Sequence, residues 1–278
     1  MGANSQFYRN KQIRFLINKP IIEYDIQRAG LQAYKNLGVI DEKTYNYWKS
    51  RDKRWSSIYI GKFLPQDMKR QNQLIKETVD KFLELNNIPN DKVISRNRDA
   101  VFVYDVKASV MEIDGFKFVI KHRFTSYYQI DNFDMYYNNR NNEFIIKGID
   151  TRFVENHMLI PYIKTCVQMY ESLDRGFMKY SEVYRRIHEL RNDYCNFRLP
   201  MGCYREIAYE NPFAMNDKQT GVVVHFGILP EVNPDRYELM IQYNFMRYIV
   251  PFINILPIMK SREIERNQYF KNGHKNER

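Results

Sequence analysis

One stretch near the N-terminus constrains the fold more than any other, because its hydrophobic pattern changes abruptly. Residues 21–25 form a short, largely apolar run that follows Pro20 and ends in Asp25, and residues 27–37 then have helical spacing as far as Gly38. Proline is tolerated at the first residue of a strand, and glycine commonly follows the last residue of a helix. The pattern therefore predicts a buried strand followed at once by a helix, with a rigidly held carboxylate between them.

The composition indicates a globular and basic chain. Of its 278 residues, 44% are hydrophobic, which is enough for a substantial core. The 43 Lys and Arg residues exceed the 33 Asp and Glu residues and give a net charge of +10, and such an excess favours an anionic partner such as nucleic acid. The abundance of Lys, Asn, Ile and Tyr is also typical of an AT-rich genome, so a structural protein without a nucleic-acid partner stays open as an alternative.

The cysteines and the apolar segments indicate a compartment. The three cysteines, Cys166, Cys195 and Cys203, lack the spacing of a zinc site, and no secretory signal precedes them. The longest apolar run near the C-terminus, residues 249–259, is interrupted by proline and is too short to span a bilayer. We therefore expect a soluble protein of a reducing cytoplasm, that of a host cell if the protein is viral, with no membrane partner and with Cys203 buried.

Helical patterns dominate the residues around the first strand and beyond it. Residues 1–19 are polar and basic and are expected to begin as a loose arm. Asp41 is placed to cap a second helix that runs to about Arg54. A short non-helical segment over residues 55–61 should precede a longer amphipathic helix over about residues 65–86.

The middle of the chain has the pattern of β-hairpins. Residues 93–95 and 100–104 are apolar runs on either side of a polar turn, in which Asn97 is expected to supply the turn conformation. This hairpin would place Asp99 at the tip or the shoulder of a tight turn. The pair Asp114-Gly115, with apolar residues on both sides, predicts a second tight turn.

The last part of the chain returns to helical spacing. Helices are predicted over residues 155–172 and 182–197, the second capped by Ser181, and a buried strand over residues 222–229. A helix rich in Tyr, Met and Phe should follow from about Asp235.

The whole pattern predicts an α+β protein. A boundary near Asp150 divides residues 1–150, an α+β region with a β-meander, from residues 151–278, a mainly helical region with one added strand.

Two acids at the ends of predicted strands, Asp25 and Asp99, are the residues best placed for chemistry. Carboxylate oxygens are hard ligands that suit Mg²⁺ or Mn²⁺. A pair of such ions can activate an attacking hydroxyl and stabilise a leaving pyrophosphate. Acids at turns and helix starts also serve as caps, so these two residues alone leave both interpretations open.

The surroundings of these acids carry a resemblance to a known family. Residues 25–32, DIQRAGLQ, resemble the first palm motif of single-subunit, phage-type RNA polymerases and, more loosely, of family A DNA polymerases, in which the metal-binding Asp is followed five residues later by Gly, then Ile or Leu, then Gln. Residues 93–102, VISRNRDAVF, are similar to the third palm motif, a hairpin whose turn bears the second catalytic Asp. Arg98 and Ala100 depart from that motif, which has His before its Asp and Ser or Glu after it.

A third segment, residues 53–61, is similar to the fingers motif of these enzymes, although its spacing is shorter. The resemblance implies that Lys53, Arg54, Tyr59 and Gly61, together with Arg98, bind a nucleoside triphosphate. It covers about residues 20–105 and implies a reduced palm, an antiparallel sheet with helices on one face.

The resemblance also implies a reaction and a set of ligands. Asp25, Asp99 and the carbonyl of Ile26 would hold the metal, with the two acids catalytic in template-dependent nucleotidyl transfer. The basic and polar residues expected to contact nucleic acid are Arg28, Gln32, Lys62, Lys69 and Arg70. The alternative is a non-catalytic nucleic-acid-binding subunit of a viral replication or transcription assembly that works with other viral protein subunits.

Overall fold

The computed structural model describes residues 7–130, 133–147, 158–200, 203, 215–216, 223–224 and 249–273. The chain divides into two compact units. The first comprises the residues up to Ile13 together with Lys19–Phe124, and the second comprises Arg14–Asn18 and the residues from Thr125 onwards. The boundary suggested near Asp150 lies outside the described residues.

The first unit contains a six-stranded antiparallel sheet. Its strands are β1 (Phe7–Arg9), β3 (Ile21–Ile26), β4 (Val93–Asn97), β5 (Ala100–Tyr104), β6 (Glu112–Ile113) and β7 (Phe116–Phe124). They lie in the order β1-β4-β5-β3-β7-β6. The central strand β3 is buried along its whole length, and β5 and β7 cover its two edges. The predicted strand before Asp25 is therefore confirmed as the middle of the sheet.

Four helices connect β3 to β4 in the first unit. They are α1 (Ala29–Asn36), α2 (Glu42–Lys49), α3 (Lys53–Phe63) and α4 (Met68–Leu85). Strand β5 pairs antiparallel with both β3 and β4. Strands β3 and β4 therefore run parallel to each other with β5 between them, which is a split β-α-β arrangement. Aliphatic and aromatic residues of α4 and α1 pack on the sheet and form the core with Tyr24 and Val101.

The second of these helices ends earlier than the sequence suggested. It stops at Lys49, and a new helix, α3, begins at Lys53 behind the cap Asp52, whose Oδ1 accepts a hydrogen bond of 2.7 Å from the amide of Arg54. The expected non-helical segment over residues 55–61 is therefore wrong. A capping carboxylate at position 52 allows a second start inside what looked like one continuous helix. The predicted cap at Asp41 is confirmed.

The sequence located the residues with positive φ correctly in one of the two predicted turns and one residue too early in the other. Asp114 and Gly115 both have positive φ, 49° and 78°, as a two-residue hairpin turn requires. In the other hairpin, Asn97 is the last residue of β4 and Arg98 takes the left-handed conformation, with φ of 48°. The turn conformation thus falls one residue later than expected, directly before Asp99.

The second unit has its own sheet and its own core. Its strands are β2 (Phe15–Leu16), β8 (Ser126–Ile130), β9 (Phe133–Asn138), β10 (Glu143–Lys147), β11 (Met215–Asn216) and β12 (Val223–Val224), and its helices are α5 (Ile160–Asp174), α6 (Tyr180–Cys195) and α7 (Val250–Gly273). Four strands form an antiparallel sheet in the order β10-β9-β8-β2, and β11 pairs with β12. The core joins residues of this sheet to the buried faces of α5, α6 and α7.

Three details of the second unit correct or limit the sequence predictions. Residues 7–9 and 15–16 of the expected loose arm are instead paired, as β1 in the first unit and as β2 in the second, and residues 1–6 lie outside the described residues. Ser181 lies inside α6, whose cap position is Lys179. Most of the predicted strand over 222–229, and the start of the helix predicted from Asp235, lie outside the described residues. The α+β class with antiparallel sheets is confirmed, and none of the described helices is long and apolar enough to cross a membrane.

Candidate metal and nucleotide site

The structure brings Asp25 and Asp99 to the same end of the central strands. Asp25 is paired across the sheet with Ala100, the residue after Asp99. The amide of Ile26 donates a hydrogen bond of 2.9 Å to the carbonyl oxygen of Asp99. Antiparallel pairing of β3 with the hairpin thus fixes both acids by main-chain bonds.

The pKa of Asp99 depends on its burial and on the charges around it. Burial of its carboxyl group and, second, the negative charge of Asp25 raise the pKa of Asp99 above its usual value. Arg98 and Lys53 act in the opposite direction through their positive charges. The site therefore contains two carboxylates that repel each other, with cations close by.

Glu23 and Lys121 extend this site along β3 and β7. Glu23 precedes Asp25 by two residues and so shares its face of the strand, and it is buried. The Nζ atom of Lys121 lies 3.1 Å from Asp25 Oδ2 and 3.9 Å from Glu23 Oε1. Burial works against the charge of Lys121, but the hydrogen bond that it donates to Asp25 and the charges of Asp25, Glu23 and Asp99 raise the pKa of Lys121 overall. A protonated lysine therefore partly neutralises three carboxylates.

The donor set fits a weakly coordinated hard cation better than a closed metal cage. Among the residues that the structure describes, no group of three or more His, Cys, Asp or Glu side chains is arranged to hold a metal. The pair Asp25 and Asp99 still supplies two hard oxygen ligands whose mutual repulsion a divalent cation would relieve. Mg²⁺ commonly uses one or two carboxylates and retains water for its other positions.

A hydrogen-bonded chain explains the glycine in the first motif. A Cβ atom on Gly30 would lie 2.7 Å from Nε2 of Gln71, and that nitrogen donates a 3.1 Å hydrogen bond to the Gly30 carbonyl. The Oε1 atom of Gln71 accepts a 2.9 Å hydrogen bond from Arg98. The absence of a side chain at position 30 thus lets α4 orient the arginine beside Asp99.

The fingers-like segment lies on α3, and its residues have different environments. Lys53 and Gly61 line a cleft that also includes Asp99, and a Cβ atom on Gly61 would meet nothing within 4 Å. Arg54 is exposed. Tyr59 stacks on Trp48 with ring centroids 4.6 Å apart, so its ring packs against α2.

Two residues predicted to contact nucleic acid make hydrogen bonds within the protein. Arg28 has a left-handed backbone with φ of 50°, and its guanidinium donates to the carbonyls of Arg51 at 2.6 Å and Trp48 at 3.2 Å. Gln32 is buried, and its Oε1 accepts a 2.6 Å hydrogen bond from the Tyr45 hydroxyl. Both side chains thus tie α1 to its neighbouring helices, while lining a cleft with Asp25.

Of the other three residues of that group, Lys62 lies near the end of α3, and Lys69 and Arg70 lie in the first turn of α4. Lys62 and Lys69 are exposed. Arg70 is also exposed and pairs with Asp67 at 3.3 Å. Lys69 lines a cleft, described below, that Lys62 and Arg70 do not line.

Three adjoining clefts surround the acids. The Asp99 cleft, of about 210 Å³, is lined by Arg28, Lys53, Gly61, Gln71, Arg98 and Asp99 among others. The Asp25 cleft, of about 540 Å³, shares Arg28 and Lys53 with it. The α4 cleft, of about 820 Å³, shares Met68 and Arg98 with the Asp99 cleft. The Asp99 cleft therefore shares lining residues with each of the other two clefts.

Sequence reasoning missed four residues of this site, namely Glu23, Gln71, Lys121 and His122. The two-residue spacing of Glu23 and Asp25 was a usable signal, since alternate strand residues share a face. Gln71, by contrast, is an ordinary residue of an amphipathic helix, and only its contacts with Gly30 and Arg98 distinguish it. The Nε2 atom of His122 lies 3.9 Å from Glu23 Oε2. This proximity depends on the pairing between β3 and β7.

The comparisons with known proteins identify a viral family. No curated protein matches the chain. Residues 3–257 match the family described as the bacteriophage PBS1 gene 130 protein. Since this match spans most of the sequence, the chain belongs to the bacteriophage PBS1 gene 130 protein family.

Proposed function

We propose that this phage protein is a template-dependent nucleotidyltransferase with a reduced polymerase-like palm. The observation that carries the proposal is the juxtaposition of Asp25 and Asp99 by the pairing of β3 with the β4–β5 hairpin. That is the arrangement implied by the resemblance of residues 25–32 and 93–102 to the palm motifs. Either acid without the other would be an ordinary turn or helix-start residue.

The roles of the residues follow from their positions. Asp25 and Asp99 would hold Mg²⁺ or Mn²⁺, with the carbonyl of Ile26 as a further ligand. When bound, the metal activates the 3′ hydroxyl of a nucleic acid and stabilises the leaving pyrophosphate. Lys53 and Arg98, whose positive charges already act on Asp99, would neutralise the phosphates of a nucleoside triphosphate seated in the Asp99 cleft.

Primer extension with Mg²⁺ or Mn²⁺ tests this proposal directly. The unmodified protein should extend a primer on a DNA or RNA template, and Asp99→Asn should reduce extension by at least a thousandfold, because it removes one metal-binding charge. Asp91→Asn is the matched control, since Asp91 is an exposed acid next to the same strand. Extension that survives in Asp99→Asn, or is absent from the unmodified protein with both metals, would contradict the proposal.

One observation favours the second candidate function, a non-catalytic nucleic-acid-binding subunit of a phage replication or transcription assembly. The ammonium of Lys121 already lies 3.1 Å from Asp25. A lysine in that position supplies positive charge without a metal. In this case the chain would use its clefts to bind nucleic acid, and other viral subunits would supply the catalytic site.

Binding experiments separate the two candidates. The subunit hypothesis predicts salt-dependent binding of oligonucleotides that Asp99→Asn leaves intact, together with no extension by either protein. Affinity without any dependence on salt is incompatible with phosphate contacts and would contradict both candidates.

A further inference from the structure

The α4 cleft is the largest of the three clefts, and the catalytic proposal does not use it. It lies between α4 and the outer strands of the first sheet, with a volume of about 820 Å³, within the range of about 300–1,000 Å³ typical of ligand sites. The residues that line it are Tyr8, Met68, Lys69, Asn72, Gln73, Lys76, Val79, Asn90, Arg96 and Arg98. Four of these are cations, and none of them is an acid.

The cleft combines flat, polar and charged groups. Arg96 places its guanidinium 5.5 Å from the ring centroid of Tyr8, which is 44% exposed, and it also pairs with Asp80. A nucleobase can stack on such an aromatic or guanidinium plane. The exposed cations Lys69 and Lys76 lie about two helical turns apart on α4 and suit two phosphates of one strand.

One polar atom in the cleft wall lacks a partner within the described residues. Asn72 Oδ1 is buried and accepts no hydrogen bond from them. A covered amide oxygen without a donor is unfavourable, so rotation of the side chain towards a donor in the cleft would be favoured. Asparagine amides pair with the edges of nucleobases.

From these contacts we infer that the α4 cleft binds a single-stranded nucleic acid, with bases against Tyr8 and Asn72 and phosphates on Lys69 and Lys76. The inference rests on the proposed function, because it assigns the path by which the strand reaches the acids. Arg98 lines both this cleft and the Asp99 cleft, so a strand leaving the α4 cleft at Arg98 arrives beside Asp99.

Fluorescence anisotropy with labelled 12-nucleotide oligo-dT and oligo-U, without metal, tests this inference. The double variant Lys69→Gln/Lys76→Gln should bind about tenfold more weakly and should lower the slope of log affinity against log salt by about 1.4, the value for two single-strand phosphate contacts. The matched control is Lys43→Gln/Lys107→Gln, which removes the same charge from exposed positions of the same unit outside the three clefts.

A second variant reports on the base rather than on the phosphates. Asn72→Leu should weaken oligonucleotide binding about two- to tenfold, the effect of losing one hydrogen bond, and should leave the salt slope unchanged. The same measurement with a free nucleoside triphosphate distinguishes a strand site, which binds the oligonucleotide more tightly, from a site for the single nucleotide.

The outcomes distinguish this inference from the catalytic proposal. Equal effects of the cleft and control double variants, tighter binding of the free nucleotide, or absence of oligonucleotide binding would overturn the inference. If the cleft variants weaken binding as expected while primer extension fails, the inference stands and the catalytic proposal falls. If the protein extends a primer and Lys69→Gln/Lys76→Gln leaves that extension unchanged, the catalytic proposal stands and the inference falls.

Discussion

The amide of Ile26 donates a 2.9 Å hydrogen bond to the carbonyl oxygen of Asp99. This bond joins the end of the central strand to the turn of the β4–β5 hairpin, and it uses only main-chain atoms. The position of Asp99 is therefore independent of the chemistry of its own side chain. Substitutions of that side chain consequently isolate the effect of the carboxylate from the effect of the fold.

The first prediction concerns the stability cost of the Asp99 carboxylate. Asp99→Asn should increase the free energy of unfolding by about 0.5–2 kcal/mol at pH 7, within the range of typical stabilising substitutions, because burial and the nearby charge of Asp25 disfavour the charged form. Urea titration at several pH values measures the difference.

The pH dependence of that difference has a defined sign. The folded-state pKa of Asp99 is raised above its ordinary value of 3.8. The stability associated with the protonated carboxyl group is therefore fully present below pH 3.8, and it is lost as the pH rises through the raised pKa. The advantage of the variant should thus appear above about pH 4 and reach a plateau. The control Asp91→Asn should show no such change, and an advantage that grows towards acid pH would contradict the electrostatic explanation.

The second prediction compares two glycines. Gly30→Ala should lower the free energy of unfolding by about 1–3 kcal/mol, the usual cost of overpacking, because the new methyl group displaces Gln71 from its bonds to the Gly30 carbonyl and to Arg98. Gly61→Ala should instead raise it by about 0.5–1 kcal/mol, because alanine favours a helix interior and its Cβ atom meets open space.

Thermal or urea unfolding of both variants checks this pair. Each variant adds the same methyl group to a helix, so helix propensity cancels between them. Equal changes in the two proteins would mean that the close approach of Gln71 to Gly30 has no energetic consequence.

The strand over residues 21–25 and the Asp114-Gly115 turn could be predicted from the sequence because each depends on local physics. A buried strand needs a run of apolar residues between breaks, and the tight turn needs two residues that tolerate positive φ, as Asp114 and Gly115 do. The same kind of reasoning failed for α3, where one capping acid at Asp52 starts a new helix.

The parts of the site that escaped prediction depend on contacts between distant residues. The partnership of Lys121 with Asp25 requires the pairing of β7 with β3, which includes an irregularity between Glu23 and Tyr24. Such a bulge changes which side chains share a face, and no local pattern reveals it. The association of Gln71 with Arg98 likewise follows only from the packing of α4 beside the hairpin.

The third prediction concerns the three thiols. Burial raises the pKa of Cys166 to about 12 and that of Cys203 to about 11, whereas Cys195 is exposed. Because the thiolate is the reactive form, a disulfide reagent at pH 8 should titrate one thiol rapidly in the native protein and all three in denaturant. Rapid reaction in the native state of Cys195→Ser would show that a buried thiol is accessible.

The fourth prediction concerns the competition between Lys121 and a cation for Asp25. Lys121→Gln removes the positive charge nearest Asp25 and Glu23, and it should lower the free energy of unfolding by about 1 kcal/mol, a value discounted for solvent screening because the lysine side chain is 42% exposed. Since the pKa of Lys121 is raised above 10.5, this contribution is complete at neutral pH and is lost only as the pH rises through the raised value.

The same variant should respond more strongly to Mg²⁺. With the lysine absent, the repulsion among Asp25, Glu23 and Asp99 is less compensated, so a cation that binds the folded state stabilises it by mass action. The rise in melting temperature with Mg²⁺ should therefore be larger in Lys121→Gln than in the unmodified protein. Lys107→Gln, which removes an exposed lysine of the same unit outside the three clefts, is the matched control. A rise of equal size in all three proteins would mean that Lys121 and the cation do not compete for these acids.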